Sequence, residues 1–267
     1  MMRILMSGKI FLVVLFLLSN ALYVEALSIY DIQYTEDPTG DSPLVGQTVD
    51  CAGGVVLHKF LGGKTKLAIY DPANPSGWGG IFAVTTGTEF AEVEVGDVVS
   101  FTSMLVEEYR GNTQLVYGPG SAFSKLSTSA LPSPLVVSPS DIAYPVDAGH
   151  SSELYEAMLV QVQDVTVAAL DQGKNADNYA LQNVNGTCWA TDYYIGAELG
   201  GATYHPYVQA GAQLDSVTGI IEQYTRNEWD YYQLCTRTIN DVVVPEPVSI
   251  LLLGVGGSLI CRRRRGR

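Results

Sequence analysis

Positively charged side chains are scarce in this sequence. The 267-residue chain has 15 lysines and arginines against 28 aspartates and glutamates. Seven of the basic residues stand near the two ends, so residues 27–247 hold eight basic and 27 acidic side chains, a net charge of −19. Binding to phosphate backbones draws heavily on neutralisation by lysine and arginine. The composition therefore argues against nucleic acid as a partner.

Histidine is also rare, and its pattern excludes the common catalytic and metal motifs. His58, His150 and His205 are not spaced as metal ligands, and none adjoins a nucleophile motif. The sequence therefore predicts no catalytic residue, no metal ligand and no cofactor. The aspartate-bearing loops 37–41 and 71–80 leave a divalent cation such as calcium open as an alternative, although neither has the full EF-hand pattern.

The chain has no long apolar run, and its two short ones stand at its ends. Near the N-terminus, Arg3 and Lys9 precede the apolar residues 10–18, and small residues follow up to Ala26. Nine strongly apolar residues are too few to cross about 30 Å of hydrocarbon. This order is that of a secretory signal peptide. We expect signal peptidase to remove residues 1–26, cleaving after Ala26, and the protein to be exported.

The second apolar run, residues 248–261, belongs to a distinct C-terminal segment, 244–267. As a helix of about 1.5 Å per residue it would be about 21 Å long, which is short for a stable transmembrane span. Four arginines that resist translocation follow it directly. We therefore predict a short transmembrane helix that anchors the exported protein only transiently, with its tail in the cytoplasm.

The order of motifs in this segment resembles one known sorting signal. Pro245, Glu246 and Pro247 precede the apolar run, and the four arginines after it are Arg262, Arg263, Arg264 and Arg265. The pattern is similar to the PEP-CTERM signal of Gram-negative bacteria. The resemblance implies that an exosortase of the inner membrane recognises the tail, cleaves near the Pro-Glu-Pro motif, and releases the protein to the cell surface or extracellular matrix.

Cysteine is scarce as well, and export would place it in an oxidising compartment. Cys51, Cys188 and Cys235 lie between the signal peptide and the tail. An odd number leaves at least one cysteine without an intramolecular partner. Cys188 and Cys235 fall in the same half of the chain, so we predict a disulfide between them. Cys51 is interpreted as a buried thiol.

No stretch between the two ends sustains a helical period. Short runs of β-branched and aromatic residues alternate with glycine, proline and aspartate turns, and the series occurs twice, about 110 residues apart. Five short strands per unit are typical of a small Greek-key barrel. We therefore predict an all-β protein with two OB-fold-like barrels in tandem, residues 27–122 and 141–243, joined by a Ser/Pro-rich connector, 123–140.

The two units resemble domains of a known class of enzymes. LVGQTVDCAGGVV, GIFAVTT and VGDVVSFTSMLVEEYRGNTQL in the first unit, and GIIEQYTRNEWDYYQL in the second, are similar to the OB-fold-like domains that precede the catalytic domain of extracellular nucleases. In that family a separate metal-dependent domain carries out catalysis. The resemblance therefore implies that these two units are not catalytic themselves.

Aromatic residues give the clearest indication of a binding surface. The chain has 16 tyrosines, several of them clustered in the second unit. Exposed aromatic rings on an OB-fold barrel stack on bases or sugars, whereas buried rings fill the core. The candidates for ligand stacking are Tyr109, Tyr193, Tyr224 and Trp229.

Together these patterns predict a non-enzymatic exported protein at the cell surface or in the extracellular matrix, with two barrels used for binding or structure. Its expected partners are signal peptidase and the exosortase during processing, and a matrix polysaccharide or surface component afterwards. Two alternatives stay open. One is a nucleic-acid-binding accessory protein related to extracellular nucleases. The other is an extracellular hydrolase whose active site the sequence does not reveal.

Overall fold

The structure, a computed structural model, describes residues 25–245 and consists mainly of β-strands. Ala26 and Pro245, near the two ends of this range, are exposed. The predicted transmembrane segment 248–261, the arginines after it, Glu246 and Pro247 lie outside the described residues, as does most of the signal peptide. Between residues 25 and 245, no helix is long and apolar enough to cross a membrane.

The first half of the described chain is a barrel preceded by one short helix. Helix α1 (Ile29–Gln33) begins at Ser28, which forms a capping box with Asp31. The strands of this half are β1 (Thr48–Leu61), β2 (Thr65–Tyr70), β3 (Gly80–Thr85), β4 (Asp97–Tyr109), β5 (Asn112–Val116) and β6 (Ala122–Thr128).

Five of these strands close into a ring in the order β1-β2-β3-β5-β4, since β4 also pairs with β1. Only the β3–β5 pairing of this ring is parallel. Strand β1 pairs with both β2 and β4 because it bends, and its register against β4 shifts before Gly54. Gly53 permits this bend: its φ is +73°, and a Cβ there would lie 1.8 Å from the Val99 carbonyl oxygen.

The second half repeats this topology. Its strands are β7 (Leu135–Val136), β8 (Leu159–Gln172), β9 (Asn178–Asn183), β10 (Gly186–Thr191), β11 (Gln213–Arg226), β12 (Trp229–Cys235) and β13 (Val242–Val243). The ring has the order β8-β9-β10-β12-β11 and closes through pairing of β11 with β8, and β10 pairs in parallel with β12. The prediction of an all-β chain with two five-stranded OB-like barrels is confirmed.

The apolar core of the second barrel continues into the first. Because side chains alternate along a strand, Leu67 and Ile69 of β2 face the interior of the first barrel. Ala68 lies between these two residues and Tyr70 follows Ile69. Both Ala68 and Tyr70 pack in the same apolar cluster as the core of the second barrel. The two barrels are therefore docked against each other by buried apolar contacts.

The connector between the barrels is shorter than the sequence predicts. Within the predicted segment 123–140, residues up to Thr128 belong to β6, which pairs with β4 of the first barrel. Residues 135–136 form β7, which pairs with β8 of the second. Residues 129–134 alone separate the two sheets. Ser124 and Ser127 of this segment belong to the mostly exposed strand β6, and serine-rich composition alone does not distinguish such a strand from a linker.

The predicted disulfide is wrong, because all three cysteines between residues 25 and 245 are buried free thiols. Strands β10 and β12 are neighbours, but their parallel register places Thr191 opposite Cys235. Cys188 lies three residues earlier on β10, which at about 3.3 Å per residue puts the two Cα atoms about 10 Å or more apart. A disulfide spans less than about 7 Å. Cys51 is a buried thiol, as predicted.

We expect Cys51, Cys188 and Cys235 to resist iodoacetamide in the folded protein and to react fully in denaturant without a reductant. Burial raises the pKa of Cys51 to about 11 and that of Cys188 to about 12, which leaves little reactive thiolate at neutral pH. Mass spectrometry of the digested protein resolves each site. A peptide that joins Cys188 to Cys235 would contradict the structure.

Candidate functional site: a pocket between the two barrels

A buried asparagine joins the barrels at the start of β5. The side-chain amide of Asn112 donates to the Gln223 carbonyl oxygen (2.6 Å), and its Oδ1 accepts from the Gln223 N–H (2.9 Å). Next to it, the Thr225 N–H donates to the Arg110 carbonyl oxygen (2.8 Å). These bonds hold the turn between β4 and β5 against β11 of the other barrel.

We expect Asn112→Ala to lower the free energy of unfolding by about 2–3 kcal/mol, because it leaves the buried N–H and C=O of Gln223 without partners. Urea denaturation of the full chain measures the change. The matched control is Asn240→Ala, which removes an exposed amide and should shift stability by less than about 0.5 kcal/mol. Equal effects of the two substitutions would show that Asn112 does not link the barrels.

A pocket of about 270 Å³ opens beside this link. In the first barrel it lies over β2, β3 and β5 and is bordered by the β1–β2 and β4–β5 turns; in the second it lies over β11 and β12 and the β8–β9 turn. Its lining residues are Phe60, Lys64, Lys66, Phe82, Val84, Tyr109, Arg110, Asn112, Gln114, Asn175, Asp177, Tyr193, Glu222, Gln223, Tyr224, Tyr231 and Gln233.

Three of the four aromatic residues predicted to stack on a ligand line this pocket. Tyr109 is 43% exposed, whereas Tyr224 is buried and Tyr193 is partly buried. Trp229 is not a lining residue and packs edge-on against Tyr231, with ring centroids 6.2 Å apart. Ligand stacking by these side chains stays a prediction, but docking of the barrels brings three of them to one place.

Four of the eight basic residues between positions 27 and 247 gather at this pocket. Lys64 and Arg110 lie over the Tyr109 ring at 4.9 and 5.1 Å, and Arg110 and Lys174 lie over the Tyr224 ring at 5.1 and 5.5 Å. We call Lys64, Arg110 and Lys174 the rim. Within the described part of the chain, none of the three forms a salt bridge. Tyrosine faces, not carboxylates, hold these cations, so their charge is not neutralised.

The fourth basic residue forms a salt bridge between the barrels. Lys66 of β2 pairs with Glu222 of β11, and we call these two residues the floor. Burial lowers the pKa of Lys66 to about 8. Glu222 also accepts hydrogen bonds from the Tyr194 hydroxyl (3.4 Å) and from Nε2 of Gln233 (3.2 Å). Separating the barrels would leave each of the two charges without its ionic partner, so the floor depends on the docked arrangement.

Three glutamates lie at the same interface but outside the pocket lining: Glu153 and Glu156 are buried, and Glu108 is half-buried. Oε1 of Glu156 accepts hydrogen bonds from the Gln33 side chain (3.1 Å) and from the Thr113 N–H (3.0 Å), both in the first half of the chain. Burial raises the pKa of Glu108 to about 7 and that of Glu153 to about 8, and it also raises the pKa of Glu156. The interface therefore holds carboxyl groups that keep their protons near neutral pH.

Residues 25–245 contain no group of three or more histidine, cysteine or acidic side chains arranged to hold a metal ion. The two loops considered for calcium use their carboxylates to order their own turns. Asp37 accepts a hydrogen bond from the Thr39 N–H (2.9 Å), and Asp71 accepts one from the Ala73 N–H (2.9 Å). His58 is largely buried, and burial lowers its pKa to about 4.

The strand order assigns both halves to one class of fold. Five-stranded Greek-key barrels of this kind are OB-folds, which bind oligonucleotides and oligosaccharides on the face of strands 2 and 3 and on the loops after strands 1 and 4. Both barrels of this chain are OB-fold-like. In the first barrel the pocket lies over the β2–β3 face and beside the β1–β2 and β4–β5 turns, which are the positions this fold uses for ligands, whereas the second barrel contributes β11, β12 and the β8–β9 turn.

Neither a protein-family model nor a curated protein matches this sequence. Among solved structures, the tetrameric p202 HIN2 is 6% identical, covers 75% of this chain and 94% of its own, and has a TM-score of 0.34. A replication protein A heterotrimer bound to ssDNA is 10% identical, with coverages of 88% and 73% and a TM-score of 0.27.

A murine DNA-binding protein bound to double-stranded DNA is 20% identical over 41% of this chain, with a TM-score of 0.28. The match spans about half, 51%, of that protein's chain. TM-scores this low carry no argument about fold or function. The assignment to the OB-fold class therefore rests on strand order and pairing within this chain.

Proposed function

We propose that this chain is a non-enzymatic binding protein that is exported, sorted by an exosortase to the cell surface or extracellular matrix, and binds its ligand in the pocket between the barrels. One observation carries the binding role. In a strongly acidic body, half of the basic residues gather around tyrosines at a single pocket. Three of these four cations, Lys64, Arg110 and Lys174, have no carboxylate partner among the described residues, which suits a ligand site better than a purely structural contact.

Substitution of the pocket tyrosines tests the binding role. The full chain is titrated calorimetrically with neutral and acidic oligosaccharides and with a short single-stranded DNA. We expect at least one probe to bind, and Tyr224→Leu to abolish that binding. The matched control, Tyr207→Leu, removes a tyrosine that is 51% exposed and does not line the pocket, and should leave binding unchanged. Equal loss in the two variants would contradict the proposal.

Export and sorting are supported by the sequence pattern of the two ends, and a separate experiment tests them. The full chain is expressed in a Gram-negative host with its exosortase and in the same host without it. We expect a product shortened at the C-terminus in the surface fraction of the first, and retention in the membrane fraction of the second. Glu246→Ala should reproduce retention, while the exposed control Glu228→Ala should not. The same distribution in both hosts would contradict exosortase sorting.

A second candidate function is binding of single-stranded nucleic acid. Tyrosines flanked by lysine and arginine on an OB-fold face are able to stack bases and contact phosphates. However, Asp177 and Glu222 line the same pocket, and the surrounding body is acidic. A salt series discriminates between the candidates, because affinity that depends on phosphate contacts falls steeply as salt rises.

A further inference from the structure

We propose that the pocket binds a short saccharide that carries a carboxylate, with the sugar hydroxyls on the polar lining near the floor and the carboxylate at the rim. This inference rests on the binding role proposed above and names the ligand class of the same site. It follows from the charge of the rim, the hydrogen-bonding groups of the lining, and the size of the pocket.

The rim requires an anion. Its three cations come from three different turns: Lys64 lies between β1 and β2, Arg110 between β4 and β5, and Lys174 between β8 and β9. They lie 4.9–5.5 Å from the centroids of tyrosine rings. A guanidinium group binds a carboxylate through two parallel hydrogen bonds, and the neighbouring ammonium groups add charge. One anionic group near Arg110 would therefore meet cations from both barrels.

The lining, in contrast, suits hydroxyl groups. It contains the amides of Gln114, Gln223 and Gln233 and the carboxylates of Asp177 and Glu222. Oε1 of Gln223 is buried and has no hydrogen-bond partner among the described residues. A hydroxyl group both donates and accepts hydrogen bonds, so it is able to bond to amides and to carboxylates. An ionised phosphate only accepts hydrogen bonds, and the two carboxylates of the lining repel it.

The dimensions of the pocket favour a short segment. Its volume of about 270 Å³ lies just below the range of about 300–1,000 Å³ typical of small-molecule sites. The rings of Tyr109 and Tyr224 lie at its border and carry the rim cations over their faces. The pocket therefore accommodates about one or two sugar rings rather than a long stretch of polymer.

Charge density separates this ligand from a nucleic acid. Every nucleotide brings a phosphate, and those beyond the rim would lie along a body with a net charge of −19. A glycan in which neutral sugars separate the acidic ones places a single carboxylate at the rim and no charge on the flanking surface. The acidic body thus favours a sparsely charged glycan over a nucleic acid.

Isothermal titration of the full chain tests the inference with three probes: a galactotriose in which one residue is galacturonate, neutral galactotriose and hexathymidylate. We expect the Kd of the singly acidic trisaccharide to be at least about tenfold lower than that of galactotriose, a difference of about 1.4 kcal/mol. Arg110→Gln and Lys174→Gln should each weaken binding of the acidic sugar by about fivefold or more and leave neutral binding within about twofold. Arg226→Gln, an exposed arginine outside the pocket, is the matched control and should change neither.

The outcomes separate this inference from the proposed function. Equal affinity for the acidic and the neutral sugar, unaffected by the rim substitutions but lost in Tyr224→Leu, would overturn the ligand class and support the pocket. Tighter binding of hexathymidylate would overturn it in favour of nucleic acid. No binding of any probe would overturn both. Lys174 is exposed and lies in a turn, so Lys174→Gln should leave the fold intact. This variant still tests the role of the rim if Arg110→Gln unfolds the protein.

Discussion

Gly80→Ala is expected to lower the free energy of unfolding by about 3 kcal/mol, because it forces the two barrels apart. Gly80 begins β3 and lies directly against the main chain of the second half. A Cβ at this position would lie 2.3 Å from the carbonyl oxygen of Glu156, 2.5 Å from the carbonyl carbon of Ala157 and 2.6 Å from the nitrogen of Met158. These neighbours are backbone atoms, so a change of side-chain rotamer does not relieve the overlap.

The matched control for this substitution is Gly118→Ala. No atom lies within 4 Å of a Cβ at Gly118, and its backbone is outside the left-handed region. An alanine there should be neutral or stabilise the protein by up to about 1 kcal/mol, since it restricts the unfolded chain. Urea denaturation followed by tryptophan fluorescence compares the two variants. If Gly80→Ala is as stable as Gly118→Ala, the barrels do not approach each other as closely as described.

The second large effect is a loss of stability as the pH rises from about 4.5 to about 8. Burial raises the pKa of Glu108 from 4.5 to about 7, that of Glu153 to about 8, and also that of Glu156. The folded protein therefore keeps protons that the unfolded chain has already released, so a higher pH favours unfolding. For Glu108 alone, the loss over its full range is about 3 kcal/mol.

The half-buried His58 acts in the opposite direction over a lower pH range. Burial lowers the pKa of His58 from 6.5 to about 4, so the unfolded chain binds a proton there that the folded protein does not. This contribution to stability grows as the pH rises from about 4 to 6.5 and is constant above that. Between pH 6.5 and 8 the glutamates act without this opposition, and thermal unfolding in that range should show the decline most clearly.

Glu156→Gln should remove part of this pH dependence. The amide oxygen still accepts from Gln33 and Thr113, while the group no longer loses a proton. We expect the variant to be more stable than the parent at pH 8 and little changed at pH 5. Glu92→Gln, a substitution of the same kind at an exposed position, should leave the curve unchanged. Superimposable curves for Glu156→Gln and the parent would show that Glu156 is ionised in the fold.

The strands and their duplication were accessible from sequence because both are local patterns. Runs of β-branched residues between turn residues predict the strands β1, β2 and β4. A similar series of runs, in the same order, predicts β8, β9 and β11. Closure of each ring follows from the class of fold that five such strands form.

The pocket was not accessible, because docking of the barrels creates it. Asn112 and Gln223 are 111 residues apart, and no periodicity relates them. One signal was present in the sequence. Lys66 directly precedes the apolar residues LAIY and Glu222 directly follows Ile220 and Ile221, so each places a charge at the end of an apolar run. Two opposite charges at such positions indicate a buried pair between strands that do not neighbour each other in sequence.

The short connector has a consequence for proteolysis of this protein. Residues 129–134 form the covalent link between the two halves of the molecule. The bonds of Asn112 and Lys66 and the close approach at Gly80 connect the same two halves non-covalently. A protease that nicks this exposed stretch would cut the chain without dismantling the molecule. The two fragments would stay associated as complementary parts, and the pocket would persist, since each fragment supplies a share of its wall.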